Sequence, residues 1–308
     1  MVMDIKNIGD KPLVSVLITS YNHADYIEQA ILSVIEQDYG NIQLVVTDGN
    51  STDGSVGLLR GLQEKYDFEL LLNDVNLGVQ KNLIRGFDRV RGKYINLMAS
   101  DEIIANNKIS EQLSFILGRD IDGVLGSHFD LYTNKDCIQA DMKDVVRLFE
   151  KGAMLNSLYV SDTVGPLVQS GLFKTEIFSE LMPYRTIYKS DDWAILIKIF
   201  EKYKIGFLDK PFMYYRITTE NAHKNYWKTL PMRLEVVSCV APVEKRFIGM
   251  SNIFESMAEY LLCDGRRGGA VKFFLASFVF DPGFKKFFRF GSRLFGFLYR
   301  KLNIFGRS

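Results

Sequence analysis

The first 130 residues alternate short apolar runs with amphipathic stretches, and that alternation limits what the chain can fold into. Leu13-Val14-Ser15-Val16-Leu17-Ile18 is continuous and largely branched, as expected of a strand buried on both faces. An amphipathic stretch follows over about 25–37, with Ile27, Ala30, Ile31 and Val34 on one face of a helix. The pattern repeats: strand 42–46, helix 55–65 with cap residues supplied by 51–54, strand 68–72, helix 79–90, strand 93–98, helix 106–117, strand 123–130. Strands separated by helices of ten to fifteen residues cross over and pair in parallel. The predicted class is α/β, a doubly wound, mostly parallel sheet flanked by helices.

In such a sheet the loops that follow the strands gather at one edge, where open α/β sheets bind their ligands. Here those loops are Thr19-Ser20-Tyr21-Asn22, Asp48 to Gly54, Asn76-Leu77-Gly78 and Ala99-Ser100-Asp101-Glu102. A second acidic site, Ser190-Asp191-Asp192-Trp193, opens a helical pattern through Ile195, Leu196 and Ile199, where the helix dipole favours negative charge. Taken singly, either acidic pair reads better as solvated surface. Together they suit a cation site and a separate base, the two requirements for group transfer from a diphosphate to a hydroxyl.

Past residue 131 the pattern is irregular to about 164. Extended segments follow at 169–174, 204–209 and 211–215, the last closing with Arg216. Beyond Trp227 only helical patterns remain, over about 230–247, 252–263 and the C-terminal end. A boundary near Lys224 divides the chain into 1–224 and 225–308. From Val271 to Ser308 there are eight Lys or Arg, one acid and eleven Phe. Phe284, Phe287, Phe288, Phe295, Leu298 and Leu302 share a helical face, and Lys285, Arg289, Arg293 and Arg300 lie off it. That pattern reads as a segment in a membrane interface beside anionic lipid, the alternative being a helix packed onto the α/β domain.

Composition narrows the classes. The chain has 308 residues and a formal net charge of +1, enough for one large domain or two modest ones. No apolar run approaches the roughly 18 to 20 residues of a membrane span, and Met1 to Asp10 lacks a signal-peptide core. The three cysteines, Cys137, Cys239 and Cys263, are scattered without metal-ligand spacing, which points to a reduced, cytoplasmic setting. Neither G-x-G-x-x-G nor a Gly-rich loop ending in Lys-Ser/Thr follows the first strand, so a dinucleotide enzyme or a nucleotidyltransferase on a similar sheet lacks support. Basic charge confined to a Phe-rich tail argues against nucleic acid.

In order, Pro12 to Asn22, Val45 to Ser55, Asn76-Leu77-Gly78, Arg91 to Ile95, Ser100-Asp101, Asp191-Asp192-Trp193 and Ile205 to Pro211 leading to Tyr215-Arg216 resemble the family 2 glycosyltransferases. The resemblance spans about 11–225. It implies the GT-A fold and an inverting, hexosyltransferase-like enzyme acting on a nucleotide-diphosphate sugar and a glycan or polyprenyl-linked acceptor. A peripheral position on the inner face of the cell membrane would bring it to such an acceptor. Thr19, Tyr21 and Asn22 then contact base and ribose, and Asp48 accepts an N–H of a uracil-like base, favouring UDP-sugars. Asn76, Arg85, Ser100 and Arg216 complete the donor site. Asp101, with Glu102, resembles the family's D-x-D acids that hold Mg²⁺ or Mn²⁺, and Asp192 matches its base, with Asp191 beside it. This chain departs from the family at Ala99, where an acid would stand, at Glu102 in place of Asp, and at Thr218 in place of His. A non-catalytic sugar-nucleotide-binding protein is the alternative that the thinned acid site leaves open.

Overall fold

A computed structural model describes residues 11–132, 136–161, 166–187, 192–217 and 226–281. Thr218, His223 and Asp191 lie outside them, as do the boundary near Lys224 and the basic tail from 282 onward. The chain divides into two compact units, Met1–Leu155 with Val164–Thr219, and Asn156–Thr163 with Glu220–Ser308.

The first unit begins as the alternation predicts. Strands β1 (Val14–Ser20), β2 (Ile42–Asp48), β3 (Glu69–Leu72) and β4 (Tyr94–Ala99) are separated by helices α1 (Ile27–Ile35), α2 (Ser55–Lys65) and α3 (Val79–Phe87). They pair in parallel in the order β3-β2-β1-β4. The chain thus builds outward from β1 to β3 and returns to the other side of β1. This makes the β1/β4 boundary the topological switch point, where a crevice opens between diverging loops. Val14, Val16, Leu17 and Ile18 are fully buried, as are Ile27, Ala30 and Ile31 of α1. The apolar run of β1 is continuous because both of its faces are covered. Helix α3 lies close over the sheet at Gly86, where an added Cβ would overlap Leu17 and meet Thr47 Cγ2 at 2.6 Å.

The remaining elements are β5 (Ile103–Ile104), α4 (Lys108–Leu117), β6 (Gly123–Leu131), β7 (Cys137–Gln139), α5 (Lys143–Glu150), α6 (Met154–Leu158), a 3₁₀ turn at Val168–Ser170, β8 (Leu172–Lys174), α7 (Thr175–Ile187), α8 (Asp192–Lys202) and β9 (Ile205–Arg216). The sheet continues β4-β8-β6-β9-β5, with β7 pairing antiparallel to the end of β6. Three-residue β8 runs against both β4 and β6, and β5 against β9, so the second half is mixed rather than parallel. The two extended segments expected before Arg216 are one strand, irregular in its register with β6 around Ser127. Helices α5, α6 and α7 were not expected.

The second unit contains α9 (Tyr226–Cys239), α10 (Val243–Cys263) and α11 (Arg267–Phe280). Its core is formed by Met257, Ala258, Leu261, Leu262, Ala270 and Phe274. The helix break expected at about 248–251 falls instead at Val240 to Pro242. Proline has no N–H to donate and disfavours helical backbone in the residue before it. Gly249 stays inside α10, where a Cβ would stand 2.8 Å from Val237 Cγ1 of α9. Its missing side chain is what lets the two helices approach.

Candidate active site

Register sets the site. Ser20 of β1 stands beside Asp48 of β2, Asp48 beside Leu72 of β3, and Thr19 beside Ala99 of β4. All four strands therefore end on one edge, and their loops are tied together by side chains. Asn22 donates its backbone N–H to Ser51 Oγ (2.8 Å), and its Oδ1 accepts from Thr52 N (2.9 Å). His23 N donates to Ser55 Oγ and Ala24 N to Asp53 Oδ2. Asn22 and Asn50 both have positive φ, 53° and 69°, a conformation Asn tolerates better than most residues.

Asp48 is fully buried, with Ser51 N donating to Oδ1 (2.8 Å) and Ser51 Oγ to Oδ2 (2.6 Å). These two bonds fasten the loop at 49–52 and leave each carboxylate oxygen a further lone pair. Gly54 is the N-cap of α2, and Asp53 just before it accepts from Ser55 N and Oγ. Tyr21 is 45% exposed at the mouth. Asn76 closes a local turn by accepting from Gly78 N (2.9 Å). Arg85, at the end of α3, donates through one nitrogen to Asn73, which also donates to buried Asn82 (2.9 Å).

On the β4 loop, buried Ser100 shares a 2.7 Å hydrogen bond with His23 Nδ1, which lies 4.0 Å from Asp101 Oδ1. Arg216, at the end of β9, donates Nε to the Asp101 carbonyl (3.1 Å) and an amino group to Gln29 (3.2 Å). Its guanidinium also covers the Tyr26 ring at 4.3 Å. Arg216 was expected to face a diphosphate. Buried as it is, it braces the loop that carries Asp101.

Glu102 departs from the cation-ligand role given to it beside Asp101. Only 2% exposed, it turns inward to accept from Ala99 N at 3.0 Å. Burial, and then the Asp101 charge, push its pKa up to about 8, with Asp192 adding to the effect and Ala99 N–H and Lys108 opposing it. The two acids of the expected machinery therefore flank a buried carboxyl. Nearby, fully buried Lys108 donates Nζ to the Gln169 carbonyl (2.5 Å), and burial pulls its pKa down to about 7. Gln169 in turn donates Nε2 to Asp192 Oδ2 at 2.7 Å. Asp192 is the first residue of α8, ahead of buried Trp193.

Sequence reasoning missed His23, Lys108 and Gln169. His23 directly follows Tyr21-Asn22 and was legible as a polar residue of the first loop. The other two carry no local signal. For a hard cation the donor set fits only through Asp101, whose side chain is 20% exposed. Among the described residues no group of three or more His, Cys, Asp or Glu is arranged to hold a metal.

The fold defines the class first. A mannosyltransferase of Pyrobaculum calidifontis, solved with GDP-Man and Mn²⁺, superposes with a TM-score of 0.60 at 16% identity, over 96% of this chain and 84% of its own. This is the GT-A fold. Residues 15–148, a little under half of the chain, then match the model for glycosyl transferase family 2. An uncharacterised glycosyltransferase of Haemophilus influenzae is 36% identical over 107 residues, 34% of this chain and 43% of the relative. An Escherichia coli relative named UDP-Glc:α-D-GlcNAc-diphosphoundecaprenol β-1,3-glucosyltransferase is 24% identical over 229 residues, 74% of this chain and 86% of its own. The chain matches 43%, 39% and 44% of the length of the first three curated relatives. Among the described residues no helix is long and apolar enough to cross a membrane.

Proposed function

We propose that the chain is an inverting glycosyltransferase that moves a sugar from a nucleotide-diphosphate donor, a UDP-sugar by preference, to a hydroxyl of a glycan or lipid-linked acceptor. The supporting observation is the pair of acids on either side of buried Glu102: Asp101 on the β4 loop, and Asp192 held by a side-chain amide at the start of α8. Asp192 accepts the proton of the acceptor hydroxyl as its oxygen attacks the anomeric carbon. The bond to the diphosphate breaks on the opposite face, the diphosphate leaves with the electron pair, and configuration inverts. Asp191 belongs to the same acidic pair.

Donor binding falls to the loops after β1, β2 and β3. Tyr21 offers an open ring face to base or ribose, Thr19 and Asn22 shape the same loop, and Asn76 holds the next one. Arg85 uses one nitrogen on Asn73, and the rest of its donor fork suits phosphate. Ser100 and Arg216 serve by fixing the Asp101 loop. A Mg²⁺ or Mn²⁺ ion on Asp101, otherwise held by phosphate oxygens and water, would offset the charge growing on the leaving diphosphate. The UDP preference draws on Asp48 and on the donor named for the E. coli relative, while the Pyrobaculum enzyme carries GDP-Man with Mn²⁺. The diphosphoundecaprenol acceptor in the E. coli name supports a lipid-linked acceptor here.

The C-terminal region is then the part that meets a membrane from the cytoplasmic side. In α11, Val271, Leu275 and Val279 form an exposed apolar stripe at four-residue spacing, leading toward the Phe- and Lys/Arg-rich tail.

The test is a donor screen by thermal shift with Mn²⁺, followed by Asp192→Asn. A donor at 100 times its Kd adds roughly 2.7 kcal/mol. Asp192→Asn should cut transfer by about 10²- to 10⁴-fold with donor binding kept within a few-fold. Donor binding in the native chain with neither transfer nor hydrolysis favours the non-catalytic alternative.

A further inference from the structure

The 3₁₀ turn at Val168–Ser170 is held far more firmly than a connection between strands requires. Three consecutive carbonyls are taken by buried side-chain donors. Gln169 O accepts from Asn96 Nδ2 (2.9 Å) and Lys108 Nζ (2.5 Å), Ser170 O from Gln112 Nε2 (2.7 Å), and Gly171 O from Asn96 Nδ2 (2.7 Å). Ser170 Oγ donates to Leu167 O (2.6 Å) and accepts from Gly126 N (3.2 Å). Asn96, Lys108, Gln112 and Ser170 are all fully buried. At Gly171 a Cβ would stand 2.8 Å from the Val124 carbonyl and 2.6 Å from the Phe173 ring, so the backbone passes where a side chain cannot. Buried polar groups spent in this number on one turn fix its position in a way apolar packing does not.

What the clamp presents is the Gln169 amide. Its Nε2 donates to Asp192 Oδ2 (2.7 Å), while its buried Oε1 has no hydrogen-bond partner among the described residues. Turning the amide over would set oxygen against carboxylate, so the carboxylate decides its orientation. A side chain kept only for packing would avoid an orphaned acceptor, and Met fills the same length without one. We propose that Gln169 is a positioning residue for Asp192, carried on a clamp built by Asn96, Lys108 and Gln112, which rests on the reading of Asp192 as the base. The N–H fixes the plane of the carboxylate, and proton acceptance from a bound hydroxyl depends on that plane.

The experiment uses the full chain with Gln169→Met, Gln169→Glu and Asp192→Asn, a donor found by the screen, and UDP with Mn²⁺ as the binding probe. Gln169→Met should lower kcat about 10- to 100-fold, the scale of a misplacement near 1 Å. Gln169→Glu keeps the shape but sets carboxylate against carboxylate, and should fall lower still. The donor KM, the UDP thermal shift and, with Trp227→Phe in every protein, Trp193 emission should stay at native values in both. Normal kcat in Gln169→Met beside an inactive Asp192→Asn overturns the positioning role and leaves the base intact. Loss of the UDP shift in step with kcat overturns it in favour of a general structural role. An active Asp192→Asn overturns base and positioning together.

Discussion

Lys108→Met should turn a buried proton site into a measurable change in the pH dependence of stability. The ammonium is fully buried and held at about 7, against 10.5 for an ordinary lysine, chiefly because burial penalises its charge. Between those values the unfolded chain binds the proton and the folded one does not. Stability contributed by Lys108 is therefore present at high pH and lost as pH falls from 10.5 toward 7. Each unit is worth about 1.4 kcal/mol, giving a ceiling of about 5 kcal/mol across the window. Methionine fills similar space with no proton to bind, at the loss of the hydrogen bond to Gln169, about 1 kcal/mol. Near pH 10 the variant should match the native chain or fall slightly below it. Near pH 7 it should be more stable by several kcal/mol. The assay is urea unfolding followed by Trp193 emission with Trp227→Phe in both proteins, so the signal comes from the unit carrying the site. Parallel stability curves for the two proteins between pH 7 and 10 would refute the reasoning, since they require a lysine with an ordinary proton affinity.

Other outcomes follow from the same geometry. Glu102→Gln should gain stability over the native chain as pH rises from 4.5 to about 8, because the raised pKa makes the native carboxyl costly to ionise across that window; an equal pH dependence in urea unfolding would count against its burial. Asp101→Ala should remove most of the roughly 2.7 kcal/mol that a donor at 100 times its Kd adds in Mn²⁺, and EDTA should do the same to the native chain. Full transfer in EDTA would instead assign charge neutralisation to protein cations such as Arg85. Truncation after Asp281 removes seven of the tail's eight basic residues, each worth about 1 kcal/mol near an anionic surface. Sedimentation with anionic vesicles should fall and the native binding should weaken with salt; equal partition of the two lengths would leave the tail as a packing element.

Much of the fold was legible because one physical rule wrote it. Strands buried on both faces must be apolar throughout, and the helices between them must be apolar on one side. The first four strands and α1 to α4 could thus be read from pattern, α2 to both of its ends. Their carboxyl-edge loops named Asp48, Ser100 and Asp101 for the same reason, since topology alone brings strand ends together, whereas Asp192 was named by the acidic start of a helical pattern. Three-residue β8 and the turn before it had no such signal. They are extended only because β4 and β6 stand on either side to pair with them.

The acidic loop shows the division most sharply. Asp101 and Glu102 are neighbours of like charge, and the sequence gives them one role. The tertiary structure separates them, because consecutive side chains in the turn point different ways: one toward His23 and the crevice, the other down to the Ala99 N–H among buried groups. Gln169 and Lys108 lie 61 residues apart, and Gln169 and Asp192 lie 23 apart. Nothing in either interval marks the contact. Local propensity and periodicity act over a few residues, whereas burial of a charge and the aim of an amide are settled only when distant strands close the space around them.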